Sequence, residues 1–312
     1  MEYKTFFFFE GGNLKNKDLE VNKIYHDDWM NNQLPDKSVK LIIADPPYFE
    51  VKGSFDFVWK SFDEYLQDVE KWAVECKRLL ADNGTLFWYG HAKKIAYAQV
   101  IFDKYFNLEN NIAIEFNRQT KKSVEYLNCF APVSERMLMY SKNENYLFFR
   151  TYLREKRIAK GYTIKQVAEK MGVYQALYGF YEQDNTGSQI PTEEQYNKLV
   201  SILDLEVEYS QVARYFNNFK KLFDVMRFDQ EAHITGKYEH DTCKPETLTR
   251  ALILTCSREN DLVFVPFAGS GTEVAMAIKE GRNAIGFDIE EKYVEMGNKR
   301  IDIIKAQPSL FF

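Results

Sequence analysis

Hydrophobic and polar positions along the chain follow two alternating patterns. Short apolar runs, such as 39–44 and 261–266, are typical of buried parallel strands. Between such runs, apolar residues recur every three or four positions, which predicts amphipathic helices. Together the patterns predict strands over 23–26, 39–44, 85–90, 109–116, 135–149, 261–266 and 283–287, and helices over 61–80, 92–104, 246–256 and 272–281. Alternating strands and helices indicate an α/β fold with a mostly parallel sheet.

The alternation stops near residue 150 and returns near residue 233. Between these points the pattern is helical, including an amphipathic stretch over 206–228 that we expect to return the chain to the main domain. Residues 150–170 contain seven lysines and arginines but two acidic residues, whereas the whole chain carries a net charge of −5. We therefore expect a first part over 1–149, an inserted helical domain over 150–232 with a basic face for phosphates, and a last part over 233–312.

Composition argues against several other classes of protein. The 312 residues include four cysteines, which form no CxxC pair, and four histidines without metal-binding spacing. This favours reduced thiols in a cytoplasmic protein and predicts neither a metal site nor disulfide bonds. No apolar run approaches the roughly 18 residues of a membrane span, so we expect no membrane partner. The net charge argues against a non-specific coat for nucleic acid, but not against an enzyme with a local basic face.

One rigid turn carries the strongest candidate chemistry. The predicted strand 39–44 runs into Asp45-Pro46-Pro47-Tyr48. The two prolines lack backbone N–H groups and stiffen the chain at the carboxyl end of a strand, where open α/β sheets place their chemistry. A carboxylate and a carbonyl beside an aromatic ring suit a planar amine, such as the exocyclic NH2 of a nucleobase. The alternative is an ordinary proline turn with Tyr48 packed on the core.

A glycine-rich turn supplies a second candidate site. Residues 267–272 follow the predicted strand 261–266 and open a helix, so that backbone N–H groups can approach an acceptor. The turn lacks the Gly-Lys-Ser/Thr of a phosphate-binding NTPase loop and the GxSxG of a hydrolase. Asp288 ends the next predicted strand, 17 residues after Gly271, where an acid suits two ribose hydroxyls. The combination indicates a cofactor-binding unit.

Other polar residues are candidates with an ordinary alternative. Asp28 follows the predicted strand 23–26, where it can accept hydrogen bonds from a ligand or cap the next helix. Arg118, Lys121 and Lys122 belong to a polar loop over 117–132 and either contact phosphate or form solvated surface.

The inserted segment has the order of signals of a helix-turn-helix. A basic helix ends at Gly161, Thr163 caps a second helix, Gly172 marks a tight turn, a third helix runs over 174–182, and a fourth opens at Pro191-Thr192. This order resembles the helix-turn-helix of the phage-repressor family, whose third helix enters the major groove.

That resemblance implies contacts with DNA from the basic helix and from the third helix, through Arg154, Arg157, Gln175 and Tyr178. The third helix carries no Arg or Lys. The alternative is a helical insert used for dimerisation or packing.

Together the motifs resemble those of S-adenosylmethionine-dependent DNA amino-methyltransferases of the permuted β class. Residues 22–48 resemble the opening of that class and end in its catalytic turn, DPPY. Residues 240–248 resemble the segment before its cofactor strand, and FAGSGT resembles its cofactor loop. The resemblance covers about 1–149 and 233–312. It implies a Rossmann-like class I methyltransferase fold, circularly permuted so that the target-base half comes first, with the helix-turn-helix inserted.

The resemblance also implies roles for individual residues. The catalytic residues are Asp45, Pro46, Pro47 and Tyr48. The cofactor-binding residues, with Asp28 at the adenine ring and Asp288 at the ribose, are Asp28, Asp45, Lys244, Phe267, Ala268, Gly269, Ser270, Gly271, Thr272 and Asp288. One position departs from the family pattern: Val265 stands where members carry an acid that helps to hold the amino end of the cofactor.

The implied reaction is methylation of a base flipped out of duplex DNA. Tyr48 stacks on the base, while Asp45 and the Pro46 carbonyl accept hydrogen bonds from the amine that attacks the sulfonium methyl group. Asp at the first position of the turn favours adenine N6. The alternatives are cytosine N4, methylation of RNA or protein amides, and a helix-turn-helix regulator with an inactive methyltransferase body.

The expected partner is double-stranded DNA in a bacterial or phage-encoded system, with a cognate restriction endonuclease and a homodimer as further candidates. The tail Gln307-Pro308-Ser309-Leu310-Phe311-Phe312 resembles the short clamp-binding peptides of bacterial replication and repair proteins. It would dock on the sliding clamp or, alternatively, fold back on the sheet.

Overall fold

A computed structural model defines two compact units in the chain. It describes residues 19–51, 54–116, 128, 130, 133–142, 144–183, 190–209, 213–228 and 244–306. One unit comprises the described residues up to Ser141 and from Phe216 onward, and the other is Lys142–Tyr215.

Strands and helices alternate in the first unit, as the hydrophobic pattern predicts. The strands of the described chain are β1 (Lys23–His26), β2 (Val39–Ala44), β3 (Leu80–Gly90), β4 (Asn107–Phe116), β5 (Ser134–Ser141), β6 (Val225–Phe228), β7 (Leu262–Val265) and β8 (Asn283–Asp288). The helices are α1 (Phe62–Leu79), α2 (Ile95–Phe102), α3 (Glu144–Ala159), α4 (Ile164–Met171), α5 (Gln175–Glu182), α6 (Glu193–Leu203), α7 (Glu246–Cys256), α8 (Thr272–Lys279) and α9 (Glu291–Ala306).

The described strands form one mixed, mostly parallel sheet in the order β1-β8-β7-β2-β3-β5-β4-β6. β5 runs antiparallel to its neighbours β3 and β4, whereas all other neighbouring strands are parallel. β2 lies between β7 and β3, with Leu41 opposite Val263 and Ile42 opposite Phe264. Because parallel strands share a carboxyl edge, the chain segments that follow β2 and β7 meet at the same edge of the sheet.

Helices cover both faces of this sheet. Ile42 and Phe264 belong to a core with residues of α1 and α2. Val265 and Tyr89 belong to the opposite core, with residues of α7, α8 and α9. The alternation of side chains along a strand explains why neighbours in β7 enter different cores.

Two stretches differ from the sequence prediction. The strand predicted over 135–149 ends at Ser141, and α3 begins at Glu144 and carries Phe149 into the helical core. The helix predicted over 206–228 is wrong for most of its described residues, because 213–224 contains no helix and Val225–Phe228 forms β6 and pairs with β4. Helical periodicity is a local signal, whereas pairing with β4 satisfies backbone groups from a distant part of the chain. The compact helical unit accordingly spans Lys142–Tyr215, where the sequence suggested 150–232.

In its described residues, the second unit contains α3, α4, α5 and α6 around a core of its own. The predicted caps at Thr163 and Thr192 are confirmed, and each forms a capping box with the glutamine three residues later. Gly172 ends α4 with a φ of 72°, a left-handed conformation that glycine adopts without steric cost. Across the described residues of both units, no helix combines the length and apolar character needed to cross a membrane.

Candidate active site

The Asp45-Pro46-Pro47-Tyr48 turn follows β2, in the middle of the sheet. Pro46 is buried, whereas Asp45 and Tyr48 are half-buried. The Tyr48 backbone N–H donates to Oδ1 of Asp56 at 2.5 Å, and Asp56 is buried. Asp56 therefore fixes the far end of the turn. Sequence patterns gave no signal for it, since it lies in the short 3-10 helix Ser54–Phe57.

Two side chains contact the Asp45 carboxylate. The Tyr48 hydroxyl donates to Oδ1 of Asp45, and Lys244 Nζ lies 2.9 Å from Oδ2. The same Nζ lies 3.0 Å from Oε2 of Glu135 and 4.7 Å from the centre of the Tyr89 ring. Lys244 was predicted to bind cofactor, and the structure brings it directly against the predicted catalytic acid. Glu135, on β5, was not predicted.

Charge and burial act in opposite directions on the pKa of Lys244 but in the same direction on that of Tyr48. Burial lowers the pKa of Lys244, but Asp45 and Glu135 outweigh it and raise that pKa above its ordinary value. Burial, and then the Asp45 carboxylate, raises the pKa of Tyr48 well above its ordinary value. Lys244 therefore remains a cation and Tyr48 remains a neutral hydrogen-bond donor at neutral pH.

The glycine-rich turn and Asp288 are joined by a hydrogen bond. The Gly269 backbone N–H donates to Oδ2 of Asp288 at 2.8 Å, and the Glu290 N–H donates to Oδ1 at 2.9 Å. Burial raises the pKa of Asp288. Ala268 N–H donates to the Phe287 carbonyl at 2.8 Å, so the turn is attached to β8 at two points.

The start of α8 packs tightly against two other elements. Gly271 has a φ of 75°, and a Cβ at this position would lie 2.8 Å from Gly297 Cα and 2.8 Å from Ile24 Cδ1. The Thr272 hydroxyl accepts a hydrogen bond from Arg300 at 2.9 Å. Ser270, which precedes Gly271, is also buried. These contacts fix the backbone N–H groups at the helix start.

Asp28 is brought to the same edge of the sheet as Asp288. β1 pairs with β8, with His26 opposite Asp288, and Asp28 follows β1. The Asp28 side chain is exposed and accepts from Met30 N–H at 3.0 Å, so it caps the 3-10 helix Trp29–Asn31. Phe267 contacts Trp29 edge to face, with ring centres 5.8 Å apart.

Two buried polar groups beside Asp45 have few partners. Within the described residues, the Tyr89 hydroxyl has no hydrogen-bond partner. Glu273, in the first turn of α8, is 7% exposed, and its own backbone amide is the donor to its carboxylate. Burial, and then the Asp45 carboxylate, raises the pKa of Glu273 to about 7. A ligand with a polar end would supply the missing partners, so this edge fits the predicted cofactor.

The predicted DNA contacts have different outcomes. Arg118, Lys121 and Lys122 lie outside the described residues, as does the tail 307–312. In the helical unit, Tyr178 is fully buried and its hydroxyl donates to Glu182 at 2.5 Å, which contradicts its prediction as a DNA contact. Arg157 Nε donates to the same carboxylate at 2.8 Å. Both side chains hold the helical unit together, because they satisfy a glutamate that is 4% exposed.

The exposed side of α5 is formed by other residues. Gln175 is exposed, as predicted for a contact residue. Tyr174, at the start of α5, is 88% exposed, and Phe180 is 36% exposed. Arg154 is half-buried and donates to the Glu182 carbonyl at 2.5 Å. The sequence did not single out Tyr174, although its place at the start of the third helix is a signal that could have been used.

The chain is similar to known DNA methyltransferases over most of its length. The DNA methylase family of N6/N4 methyltransferases matches residues 39–299. The chain is 28% identical to the DNA adenine methyltransferase YhdJ of Escherichia coli over 91% of this chain and 84% of that protein. It is 26% identical to the type II methyltransferase M.HinfI of Haemophilus influenzae over 88% of this chain and 66% of that protein.

Solved structures share the fold. The complex of M1.HpyAVI with SAM has a TM-score of 0.53 at 18% identity and covers 89% of this chain and 98% of its own. The cytosine-N4-specific PvuII DNA methyltransferase has a TM-score of 0.56 at 13% identity and covers 90% of each chain. The family match includes both the Asp45 turn and the glycine-rich turn, and the chain therefore belongs to the DNA methylase family.

Proposed function

We propose that this methyltransferase transfers a methyl group from S-adenosylmethionine to the exocyclic N6 of a flipped adenine in double-stranded DNA. The observation that carries the proposal is the meeting of the Asp45-Pro46-Pro47-Tyr48 turn with the glycine-rich turn, at the shared edge of β2 and β7. The YhdJ relative, named as a DNA adenine methyltransferase, supports adenine as the target.

The glycine-rich turn and two acids, Asp288 and Asp28, form the proposed cofactor site. When bound, S-adenosylmethionine supplies an electrophilic methyl group. Asp288 accepts one backbone N–H at each oxygen and keeps further lone pairs for ribose hydroxyls. Asp28 faces the same edge of the sheet and is the proposed partner of the adenine ring. Backbone N–H groups of 268–272 and the Phe267 ring complete the site.

Asp45 and Tyr48 are the proposed catalytic pair. Tyr48 donates to one Asp45 oxygen and Lys244 binds the other. Lys244 stabilises the negative charge on Asp45, so the carboxylate remains an acceptor for an amine. The target amine must displace the Tyr48 hydroxyl from Oδ1, and the freed ring is then available to stack on the base. The Pro46 carbonyl provides a second acceptor.

The helical unit is the proposed DNA-recognition domain, of the helix-turn-helix type. Its α4 and α5 are joined through the left-handed Gly172, and Tyr174 and Gln175 are exposed at the start of α5. In a helix-turn-helix, residues at the start of the second helix contact base edges. Tyr174, Gln175 and Phe180 therefore take the place of the buried Tyr178 in this proposal. The helical unit lies between β5 and β6 in the chain, and the turn after β2 precedes the turn after β7. This order supports the permuted arrangement of the β class.

The proposal is tested by nucleoside mass analysis of DNA treated with the protein. We expect N6-methyladenine with the wild-type protein and at least a 100-fold slower reaction with Asp45→Asn, because Asn cannot supply an anionic acceptor. Both proteins should bind S-adenosylhomocysteine. Glu70→Gln, which removes an exposed partner of Lys104, is the matched control and should retain activity. N4-methylcytosine as the product, or normal turnover by Asp45→Asn, would contradict the proposal.

The remaining partners stay predictions from sequence. Binding of the tail 307–312 to a sliding clamp is checked by a clamp pull-down before and after deletion of these residues. A restriction endonuclease partner and a homodimer are independent of the catalytic proposal.

A further inference from the structure

The cofactor end of the site lacks an acid where the family pattern has one. Val265, the last residue of β7, is buried at 1% exposure in the core that contains Tyr89 and residues of α8. The amino-acid end of S-adenosylmethionine carries an ammonium group. A buried ammonium requires an anionic or polar acceptor, because its transfer from water is otherwise costly.

A carboxylate is present on the same side of the sheet. Glu273 lies eight residues after Val265, in the first turn of α8, and it is 7% exposed. The charge of Glu273 raises the pKa of Tyr89 on β3, and the Asp45 carboxylate, after β2, raises the pKa of Glu273. Glu273 is therefore a buried carboxylate in the first turn of the helix that follows the glycine-rich turn, within electrostatic range of Asp45.

The neighbouring cations do not neutralise this carboxylate by contact. Lys244 and Arg300 both act on Glu273 through space. Lys244 is bonded to Asp45 and Glu135. Arg300 donates to Thr272 and to Glu246, the latter at 2.7 Å. Within the described residues, no side chain donates a hydrogen bond to Glu273, although a buried carboxylate normally has such partners.

We propose that Glu273 binds the ammonium group of S-adenosylmethionine and replaces the acid that Val265 does not provide. This inference rests on the proposed function, because it requires the cofactor. It gives a partner to a buried carboxylate that, within the described residues, has no cation in contact with it. The Tyr89 hydroxyl, which has no hydrogen-bond partner within the described residues, offers the cofactor a second polar contact.

The experiment compares two ligands that differ at the amino-acid end. S-adenosylhomocysteine carries the ammonium group, whereas 5′-methylthioadenosine lacks the whole amino-acid end. Calorimetric titration should show that Glu273→Gln weakens S-adenosylhomocysteine binding roughly 10- to 100-fold, the worth of a charge-assisted hydrogen bond. Binding of 5′-methylthioadenosine should stay within about twofold of wild type, since it makes no contact with Glu273.

Two further variants separate a binding role from a structural one. Val265→Asp combined with Glu273→Gln returns an acid to the family position and should restore most of the lost affinity. Glu295→Gln, an exposed position on α9, is the control and should bind both ligands normally. If Glu273→Gln does not fold, Glu273→Asp is used instead, because it keeps the charge but shortens the side chain. This variant should weaken the binding of S-adenosylhomocysteine and leave that of 5′-methylthioadenosine unchanged.

The outcomes distinguish this inference from the proposed function. If Glu273→Gln loses affinity equally for both ligands, or binds both as tightly as wild type, the proposed role of Glu273 is overturned. Binding of S-adenosylhomocysteine by the wild-type protein would still support the cofactor site. If the wild-type protein binds neither ligand, the proposed function fails, and the inference fails with it.

Discussion

The predicted catalytic acid belongs to a charged cluster around one buried lysine. Lys244 contacts both Asp45 and Glu135, and Glu273 lies within its electrostatic reach. Removing one partner of such a buried group usually costs more than its net contribution, because the remaining charges are left unpaired. The effect of any single substitution here therefore depends on the charges that remain.

Glu273 should make the stability of the unliganded protein depend on pH. Its pKa in the folded protein is about 7, compared with an ordinary value of 4.5, so the folded state binds more protons than the unfolded state between these values. The free energy of unfolding should therefore fall as pH rises through this window, by up to about 3 kcal/mol from this group. The groups that face it are Asp45, Tyr89, Lys244 and Arg300.

Glu273→Gln removes this titration. Urea denaturation at pH 5 and pH 8 should show little difference between variant and wild type at pH 5, and a more stable variant at pH 8. Other titrating groups cancel in the comparison, because both proteins contain them. A variant that is less stable than wild type at pH 8 would contradict the prediction. The same substitution is expected to stabilise the fold and to weaken cofactor binding, a known conflict between stability and function.

At the scale of elements, α8 depends on a glycine at its start. Gly271→Ala would place a Cβ 2.8 Å from Gly297 and from Ile24, in a left-handed conformation. We expect a loss of about 2–4 kcal/mol in the free energy of unfolding, from the strained backbone and the overpacking together. Binding of S-adenosylhomocysteine should be lost as α8 moves away from α9 and β1.

The matched control is Gly179→Ala in α5, where an added Cβ meets no atom within 4 Å. Alanine is the better helix former, so this variant should gain about 1 kcal/mol. Chemical denaturation measures both changes. Equal effects of the two substitutions would show that local space at Gly271 does not matter.

Local chemistry in the sequence predicted some elements well. Strand β7, the glycine-rich turn and the caps at Thr163 and Thr192 depend on neighbouring residues, and all were predictable. The strand β6 was not, because its partner β4 lies more than 100 residues earlier in the chain. The side of α5 that faces water was also missed, since Tyr178 points inward through packing with three other helices.

At the scale of the molecule, the helical unit contains its own core. The core cluster among its described residues comprises Phe149, Leu153, Val167, Ala168, Met171, Tyr178, Tyr181, Tyr196, Leu199, Leu203 and Leu205, all of which lie within the unit. We predict that the fragment 142–215 folds alone, because its described core cluster is formed by its own residues. Circular dichroism should show a helical spectrum and cooperative thermal unfolding. A spectrum without helix, or unfolding without a transition, would contradict this.

The candidate site was predictable in its parts but not in its assembly. The sequence indicated Asp45, the glycine-rich turn and Asp288, since each follows a recognisable strand. It gave no indication that Lys244 would bond to Asp45 or that Glu273 would lie near both. These contacts join segments about 200 residues apart, and they depend on the position of β7 beside β2.

The pairing of β2 with β7 and of β1 with β8 has a consequence for the order of events during synthesis. In the described sheet, β1 has β8 as its neighbour, and β2 gains its partner on one side when β7 arrives. While the ribosome is translating the middle of the chain, β2 therefore lies at an open edge, and the proposed catalytic turn after it has no cofactor site beside it. On this proposal, a nascent chain cannot transfer a methyl group until β7, the glycine-rich turn and β8 have been synthesised. Sheet closure, which has a high contact order and is therefore slow, then coincides with the first moment at which the enzyme can act on DNA.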